Sequence, residues 1–341
     1  MSDIRQRKHD HVELVLNDPQ VDRHASGLDA IRLTHRALPE LDYDEVDTCC
    51  TLLEHTLSFP FLISSMTGGE GAALHRINRH LAEAAEACGV AMAVGSQRIM
   101  LEHPETAESF ALRRYAPSVP LIANLGAVQL NEGVTLAQIE DLIDVLDADA
   151  LYLHLNPLQE VIQPGGDRNF AGLAERIAEV ADGIDVPVIL KEVGCGLSAE
   201  DIELGLRAGV DHFDLAGRGG TSWSRIEALR ADDPLGFEFQ DWGLTLVESL
   251  RQAAPYRNRA TFIASGGVRS GVDMVKCVIM GASACGVAGP LLRAATESTE
   301  AVIEVIEHFR RAYHTAQFLL GAATFEALFD NRQLLLQQSR F

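Results

Sequence analysis

Two glycine-rich stretches in the last third of the chain carry the firmest chemical signal: Ser265-Gly266-Gly267-Val268-Arg269-Ser270-Gly271 and Val287-Ala288-Gly289-Pro290. Each follows an apolar run and precedes a helical pattern. Glycines let the backbone turn tightly and bring its N–H groups onto phosphate oxygens, at a helix N-terminus whose dipole favours an anion. Either stretch alone reads equally well as a tight turn in a chain with 28 glycines. Two of them, in successive units, point to a phosphorylated ligand.

Other polar residues stand where apolar runs end. Leu190-Lys191-Glu192-Val193-Gly194 places a lysine at the end of a strand-like run, in a chain whose other lysines are Lys8 and Lys276 alone. Arginine is the default cation here, so a retained lysine hints at a compact point charge, although Lys276 reads as a surface accident. A surface pair of Lys191 with Glu192 is disfavoured, because neighbouring side chains on a strand face opposite ways. A buried ammonium beside a phosphate grip fits a flavin, whose reduced ring carries negative charge at its N1/O2 edge.

His154-Leu155-Asn156-Pro157-Leu158-Gln159-Glu160, with Gln163-Pro164-Gly165-Gly166-Asp167 behind it, is unusually polar for a strand end. His154 and Asn156 share a face by period two. Glu160 is a candidate Mg²⁺ ligand, since that cation takes one or two carboxylates plus ligand phosphates; an exposed, capped loop is the alternative. Ser65-Met66-Thr67-Gly68-Gly69, Gly95-Ser96-Gln97-Arg98 and Ala123-Asn124-Leu125-Gly126 each offer a small polar group at a run's end. A flavin's pyrimidine edge needs such partners, and each alone is also an ordinary turn.

Eight elements must position these groups. The apolar runs are 59–66, 90–95, 120–125, 150–156, 186–193, 210–216, 261–266 and 284–289. They lack strict alternation, as strands buried on both faces do. Between them apolar residues recur at helical spacing: Leu74, Ile77, Leu81, Ala84, Cys88; Leu136, Ile139, Leu142, Ile143, Leu146; Leu173, Ile177, Val180. Eight such units predict an α/β fold, a (β/α)8 TIM barrel, with the site at the C-terminal strand ends and phosphate after strands seven and eight. An open dinucleotide sheet would put its glycines after the first strand. The whole chain, 1–341, reads as one domain: an N-terminal arm or cap over 1–58 and the barrel over 59–341. Residues 217–243 form a connection after the sixth run long enough to be a lid. The helical stretch from Leu291 is expected to close the barrel.

The 341 residues are 47% hydrophobic and 23% charged, ordinary for a globular protein. A formal net charge of −21 argues against nucleic acid or an anionic membrane as partner. No run approaches the ~20 apolar residues of a membrane span. The charged N-terminus predicts no signal peptide. Six scattered cysteines fit idle thiols in a reducing cytoplasm.

Read together, these blocks resemble type 2 isopentenyl-diphosphate isomerase, the FMN-dependent enzyme of isoprenoid synthesis. The likeness spans most of the chain and adds Arg7-Lys8-His9-Asp10-His11 in the arm and Gly219-Gly220-Thr221-Ser222-Trp223 in the lid. It implies interconversion of isopentenyl and dimethylallyl diphosphate without net redox change, on FMN kept reduced by NADPH. It also implies a cytoplasmic homo-oligomer. By position, Ser65, Met66, Thr67, Ser96, Asn124, Lys191, Thr221, Gly267, Val268, Arg269, Ala288 and Gly289 would contact FMN. Arg7, Lys8, His11, Arg98, His154, Asn156 and Gln159 would bind the substrate, and Glu160 would hold Mg²⁺ through the diphosphate. Gln159 and His154 would lie at the reaction, with Glu227 a second proton carrier at the family's spacing after Trp223. One departure is visible: after Asp241-Trp242-Gly243 the family's proline-bearing run is replaced by Leu244-Thr245-Leu246-Val247.

Two rival enzyme readings share the barrel. An FMN-dependent 2-hydroxy-acid oxidoreductase needs a histidine base after the sixth strand, where this chain reads Asp214-Leu215-Ala216-Gly217-Arg218-Gly219-Gly220. A barrel dehydrogenase acting through a loop cysteine finds Thr221-Ser222 instead. A non-catalytic flavin- or diphosphate-binding barrel is the third alternative, and it has no use for Glu160 beside Gln159.

Overall fold

The computed structural model describes residues 4–66 and 71–336, with side chains from Asp10 onward. Thr67 and the side chains of Arg7 and Lys8 therefore lie outside the described residues. Among the described residues there are ten strands: β1 (Cys50–Leu52), β2 (His55–Leu57), β3 (Phe61–Ile63), β4 (Ala91–Ala93), β5 (Leu121–Gly126), β6 (Ala150–Leu155), β7 (Val188–Glu192), β8 (His212–Asp214), β9 (Thr261–Ser265) and β10 (Ala284–Val287). β3 to β10 form a closed barrel in sequence order, β10 pairing with β3, and every pair is parallel. All eight predicted runs are barrel strands.

The strand period explains both core and mouth. Ile122, Tyr152, Ile189, Ile263 and Ala284 point into the barrel and form an interior cluster distinct from the outer shell. Two residues further along the same face stand Asn124, His154, Lys191, Ser265 and Gly286. Each of these five strands thus spends its interior positions on apolar packing first and delivers its next inward residue to the C-terminal mouth.

The three helical patterns are the helices Ala72–Cys88, Leu136–Leu146 and Leu173–Gly183. Their stripes face the core, except that Leu136, in the first turn beyond the Thr135 cap, is exposed. The C-terminal stretch, expected to close the barrel, contributes Phe325 against the interior cluster, and the β1–β2 hairpin contributes the rest of the plug. The barrel's interior holds small residues (Ala91, Ala93, Ala150, Ala284), and the β1–β2 hairpin fills the space they leave by inserting Cys50, Leu52 and Leu57. The C-terminal helices Gly289–Glu297 and Thr299–Leu319 instead pack outside, against Ala72–Cys88.

The arm is divided. Its helix Ile4–Asn17 lies against the lid helix Trp223–Ala231, while the hairpin sits at the other end of the barrel. The lid carries a second short helix, Leu235–Glu238, and is stitched to the arm by a bridge between Asp22 and Thr221. At the lid's end no proline is needed: Thr245 caps the helix Leu246–Ala253 through a reciprocal box with Glu248. Lys276 is not a surface accident, for its Nζ donates to the Leu28 carbonyl at 2.9 Å and fastens the arm to the helix Gly271–Ile279. Among the described residues, no helix is long and apolar enough to cross a membrane.

Candidate active site

A cavity of about 360 Å³ opens at the C-terminal mouth. Its lining includes His11, Ser65, Met66, Ser96, Arg98, Asn124, His154, Asn156, Gln159, Glu160, Lys191, Thr221, Gly267, Val268, Arg269, Ala288 and Gly289. Those seventeen positions come from every part of the chain, so the fold gathers nearly all the residues singled out in the sequence. Glu227 is the exception: it is fully buried and stands behind Gln159 rather than in the lining.

The glycine turn after β9 is a close-approach structure. Gly266 and Gly267 have φ of +95° and +92°, and a Cβ on Gly267 would lie 2.5 Å from the Gly219 carbonyl oxygen. Only glycine allows the turn and the start of the lid to touch there. Arg269 locks the arrangement by donating to the carbonyls of Gly267 (3.0 Å) and Gly219 (2.6 Å) while pairing with Asp22 of the arm. After β10, a Cβ on Gly289 would meet nothing within 4 Å, so this glycine leaves open space at the start of a helix. The cradle fits a phosphate.

Lys191 points into the barrel mouth, with Nζ 3.0 Å from Asp214 and 3.4 Å from Ser265 Oγ. Glu192 points the other way. One of its oxygens accepts the backbone N–H groups of Val193 (2.6 Å), Gly194 (2.6 Å), Cys195 and Gly196 (3.2 Å). Burial pushes this carboxyl up to about 7 against the pull of those N–H groups and of Lys191. It organises the loop after β7, which Arg23 of the arm also holds through the Gly194 and Thr221 carbonyls (2.5 and 2.9 Å).

Beside Lys191, the end of the neighbouring strand β6 builds a polar wall. His154 Nδ1 meets Asn124 Oδ1 at 2.8 Å, and the Asn124 amide donates to Ser65 Oγ (2.8 Å) and the Val94 carbonyl (3.0 Å). Because Oδ1 only accepts, Nδ1 carries the proton and Nε2 is left as an acceptor when the ring is neutral. Burial, with the charges of Lys191 and Arg98, lowers His154 to about 4, so neutral it is. Arg98 pairs with Asp167 at 2.5 Å.

Glu160 is buried with both oxygens directed. Oε1 accepts from Asn156 (2.8 Å); Oε2 accepts from Gln163 (2.6 Å) and from the Asp167 backbone (2.8 Å). A Cβ on Gly166 would strike the Glu160 carbonyl, which is why this turn needs a glycine. Asn156 Oδ1 is buried without a hydrogen-bond partner among the described residues, beside the cavity. A single oriented carboxylate and an unmet carbonyl oxygen at one cavity wall fit a hard cation held jointly with a ligand phosphate.

Gln159 bridges wall and lid. Its Oε1 accepts from Asn156 (3.2 Å) and its Nε2 donates to Glu227 Oε1 (3.0 Å). His11 of the arm reaches the same Glu227 oxygen at 2.9 Å, stacks edge-on against Trp223 at 5.0 Å, and Arg230 holds the other oxygen. Burial alone would raise Glu227; the hydrogen bonds from His11 and Gln159 and the Arg230 charge outweigh it and bring the group down to about 2. Unliganded, Glu227 is an anion that orients Gln159, not a proton donor.

Comparison with known proteins decides the family. A model of the FMN-dependent dehydrogenases matches residues 8–110 and 154–335. Isopentenyl-diphosphate delta-isomerases of Hydrogenovibrio crunogenus and Paracoccus zeaxanthinifaciens are 59% and 58% identical, over 98% and 97% of this chain and 99% and 97% of theirs. The chain belongs to the isopentenyl-diphosphate delta-isomerases, within the FMN-dependent dehydrogenase family.

This isomerase family shares its barrel with oxidoreductases. A flavocytochrome b2 mutant superposes with TM-score 0.71 at 16% identity over 97% of this chain and 84% of its own, and a mandelate oxidase mutant with 0.64 at 20% over 97% of both. That likeness concerns fold alone. Within the isomerase site, several supporting residues had been given no role from the sequence. Gln163 and Asp167 aim Glu160, Gln97 pins Asn124 by a mutual pair with its backbone (2.8 and 3.0 Å), and Asp214 and Tyr152 lie beneath Lys191. Asp214 had one usable signal: an acid inside an apolar run, where a partner is obligatory.

Proposed function

We propose that this isomerase interconverts isopentenyl and dimethylallyl diphosphate on reduced FMN with Mg²⁺, the flavin being kept reduced by NADPH. One observation carries the reading: a single cavity has a glycine phosphate cradle after β9 and β10 and the Arg98–His154–Asn156–Glu160 wall on the strands away from it, with Lys191 beside His154 between them. Two phosphorylated ligands fit face to face there.

FMN would be held by the turns Gly267-Val268-Arg269 and Ala288-Gly289, by Lys191, and by Ser65, Met66, Ser96, Asn124 and Thr221, all of which line the cavity. Thr67 belongs to the same set by sequence position. Reduced flavin would supply the ring chemistry that moves protons at the substrate carbons without net redox change.

The chain's own residues do the rest. Arg98, His11, His154 and Asn156, with Arg7 and Lys8 from the arm, would bind the diphosphate, and Glu160 would hold Mg²⁺ against it. His154 would take up a proton as the anion arrives, since Nε2 is otherwise only an acceptor. Gln159, fixed between Asn156 and Glu227, would position the alkene; a neutral amide is a poor acid by itself. Glu227 would act as a base or charge relay through Gln159. The arm and lid helices would exclude water from the reacting carbons. The six free thiols support a reducing cytoplasm. A homo-oligomer is the assembly proposed, to be checked by sedimentation.

The decisive experiment is anaerobic incubation of the FMN-reduced protein with isopentenyl diphosphate and Mg²⁺. Formation of dimethylallyl diphosphate is expected; its absence with the flavin confirmed reduced would refute the proposal. Gln159→Ala turning over at full rate with FMN bound would remove Gln159 from the mechanism.

A further inference from the structure

Asp214 is completely buried at the end of β8 and does not border the cavity. Its register partner on the neighbouring strand is Lys191. Its carboxylate accepts from the Tyr152 hydroxyl at 2.9 Å, from the Ser265 hydroxyl, from the Ala216 backbone N–H at 3.3 Å, and from Lys191 Nζ at 3.0 Å. Every polar neighbour donates to it. Tyr152 is held as a phenol, first by burial and then by the adjacent carboxylate, and its ring lies 5.6 Å below the ammonium.

The ammonium has three N–H groups. One points to Asp214, one to Ser265 Oγ, whose own proton is committed to Asp214, and the third is left for the cavity. A negative charge 3 Å behind the cation also offsets part of the positive potential felt in front of it.

We propose that Asp214 is a positioning residue that fixes Lys191 toward the cavity and sets how strongly Lys191 favours the reduced, negatively charged flavin over the oxidised one. This rests on the reading of the cavity as an FMN site. The carboxylate aims the ammonium and at the same time restrains it, and Tyr152 adjusts the restraint by drawing charge off one carboxylate oxygen.

The test is the midpoint potential of bound FMN in the holoprotein. Asp214→Asn keeps shape and an acceptor but removes the charge; reduced flavin should gain tenfold or more over oxidised, an upward shift of about 30 mV for the two-electron couple. Tyr152→Phe removes one donor, leaves more charge facing Lys191, and should move the potential downward. A purely structural role would not give opposite signs. Flavin bound to Asp214→Asn with its potential unmoved or lowered would overturn the proposal. Should that variant fail to fold, an unmoved or raised potential in Tyr152→Phe overturns it equally. An unaltered chain that took up no FMN would instead refute the flavin reading on which the proposal stands.

Discussion

Gln159 donates its amide to Glu227 across 3.0 Å, and this contact ties the β6 loop to the lid helix at the heart of the site. The same Glu227 oxygen receives His11, so arm, lid and barrel meet on one carboxylate.

Glu227→Gln should therefore keep the fold and FMN but let the Gln159 amide turn over, since the acceptor that fixes it becomes ambiguous. Turnover is expected to fall by roughly 10²-fold, the usual size of a lost proton-handling or orienting group, with the flavin spectrum unchanged. Acid titration gives a second reading. Because the folded Glu227 is depressed to about 2, its stabilisation is complete above the unfolded carboxyl range and is lost as pH falls toward 2. The loss amounts to about 3 kcal/mol between those limits. The variant should flatten that acid limb in denaturant unfolding; an unchanged limb would contradict the assignment.

Diphosphate binding should draw a proton onto His154. The free ring sits at about 4 and is neutral at pH 6.5, whereas an anion beside Nε2 favours the charged ring and raises its pKa. Calorimetry in buffers of different ionisation heat should show uptake of up to about one proton at that pH. His154→Asn should abolish the buffer dependence. If both proteins show none, the ring does not meet the anion.

The two glycine turns make separable predictions. Gly267→Ala places a side chain on a positive φ and against the Gly219 carbonyl, so both stability and FMN affinity should drop, by about 1–3 kcal/mol in the former. Gly289→Ala meets nothing, so thermal stability should hold. FMN affinity, followed by flavin fluorescence, should still fall about tenfold or more, because the methyl would occupy the place of a phosphate oxygen. Retained affinity in Gly289→Ala would mean the phosphate lies elsewhere.

Glu160→Gln removes the charge and turns one of the two accepting oxygens into an NH2 group that can only donate. The Mg²⁺ concentration for half-maximal activity should rise tenfold or more, while FMN binding stays the same. An unaltered Mg²⁺ dependence would take Glu160 out of the metal site.

The fold was legible in the sequence because barrel strands buried on both faces write themselves as bare apolar runs. The mouth was legible for the same reason: a histidine, lysine or asparagine at the end of such a run has one way to point. What stayed hidden depends on register and on packing between distant segments. Asp214 shared its one signal, an acid inside an apolar run, with nearby Asp211 until the β7–β8 pairing set it opposite Lys191. Glu227 was implied by the family resemblance, at that family's spacing after Trp223, yet its seat behind Gln159 follows from the lid helix docking on the arm, which no local pattern encodes. The hairpin went unread because its three-residue strands, Cys50–Leu52 and His55–Leu57, are too short to show a period. Lys276 looked superficial because its partner is a backbone carbonyl in the arm.

With Leu52, Leu57 and Cys50 stoppering the far end, the barrel is a flask with one neck. Whatever fills its base must enter before whatever fills its throat, and must leave after it. On the proposed reading loading would therefore be sequential: the flavin would enter first, and the diphosphates would come and go above it.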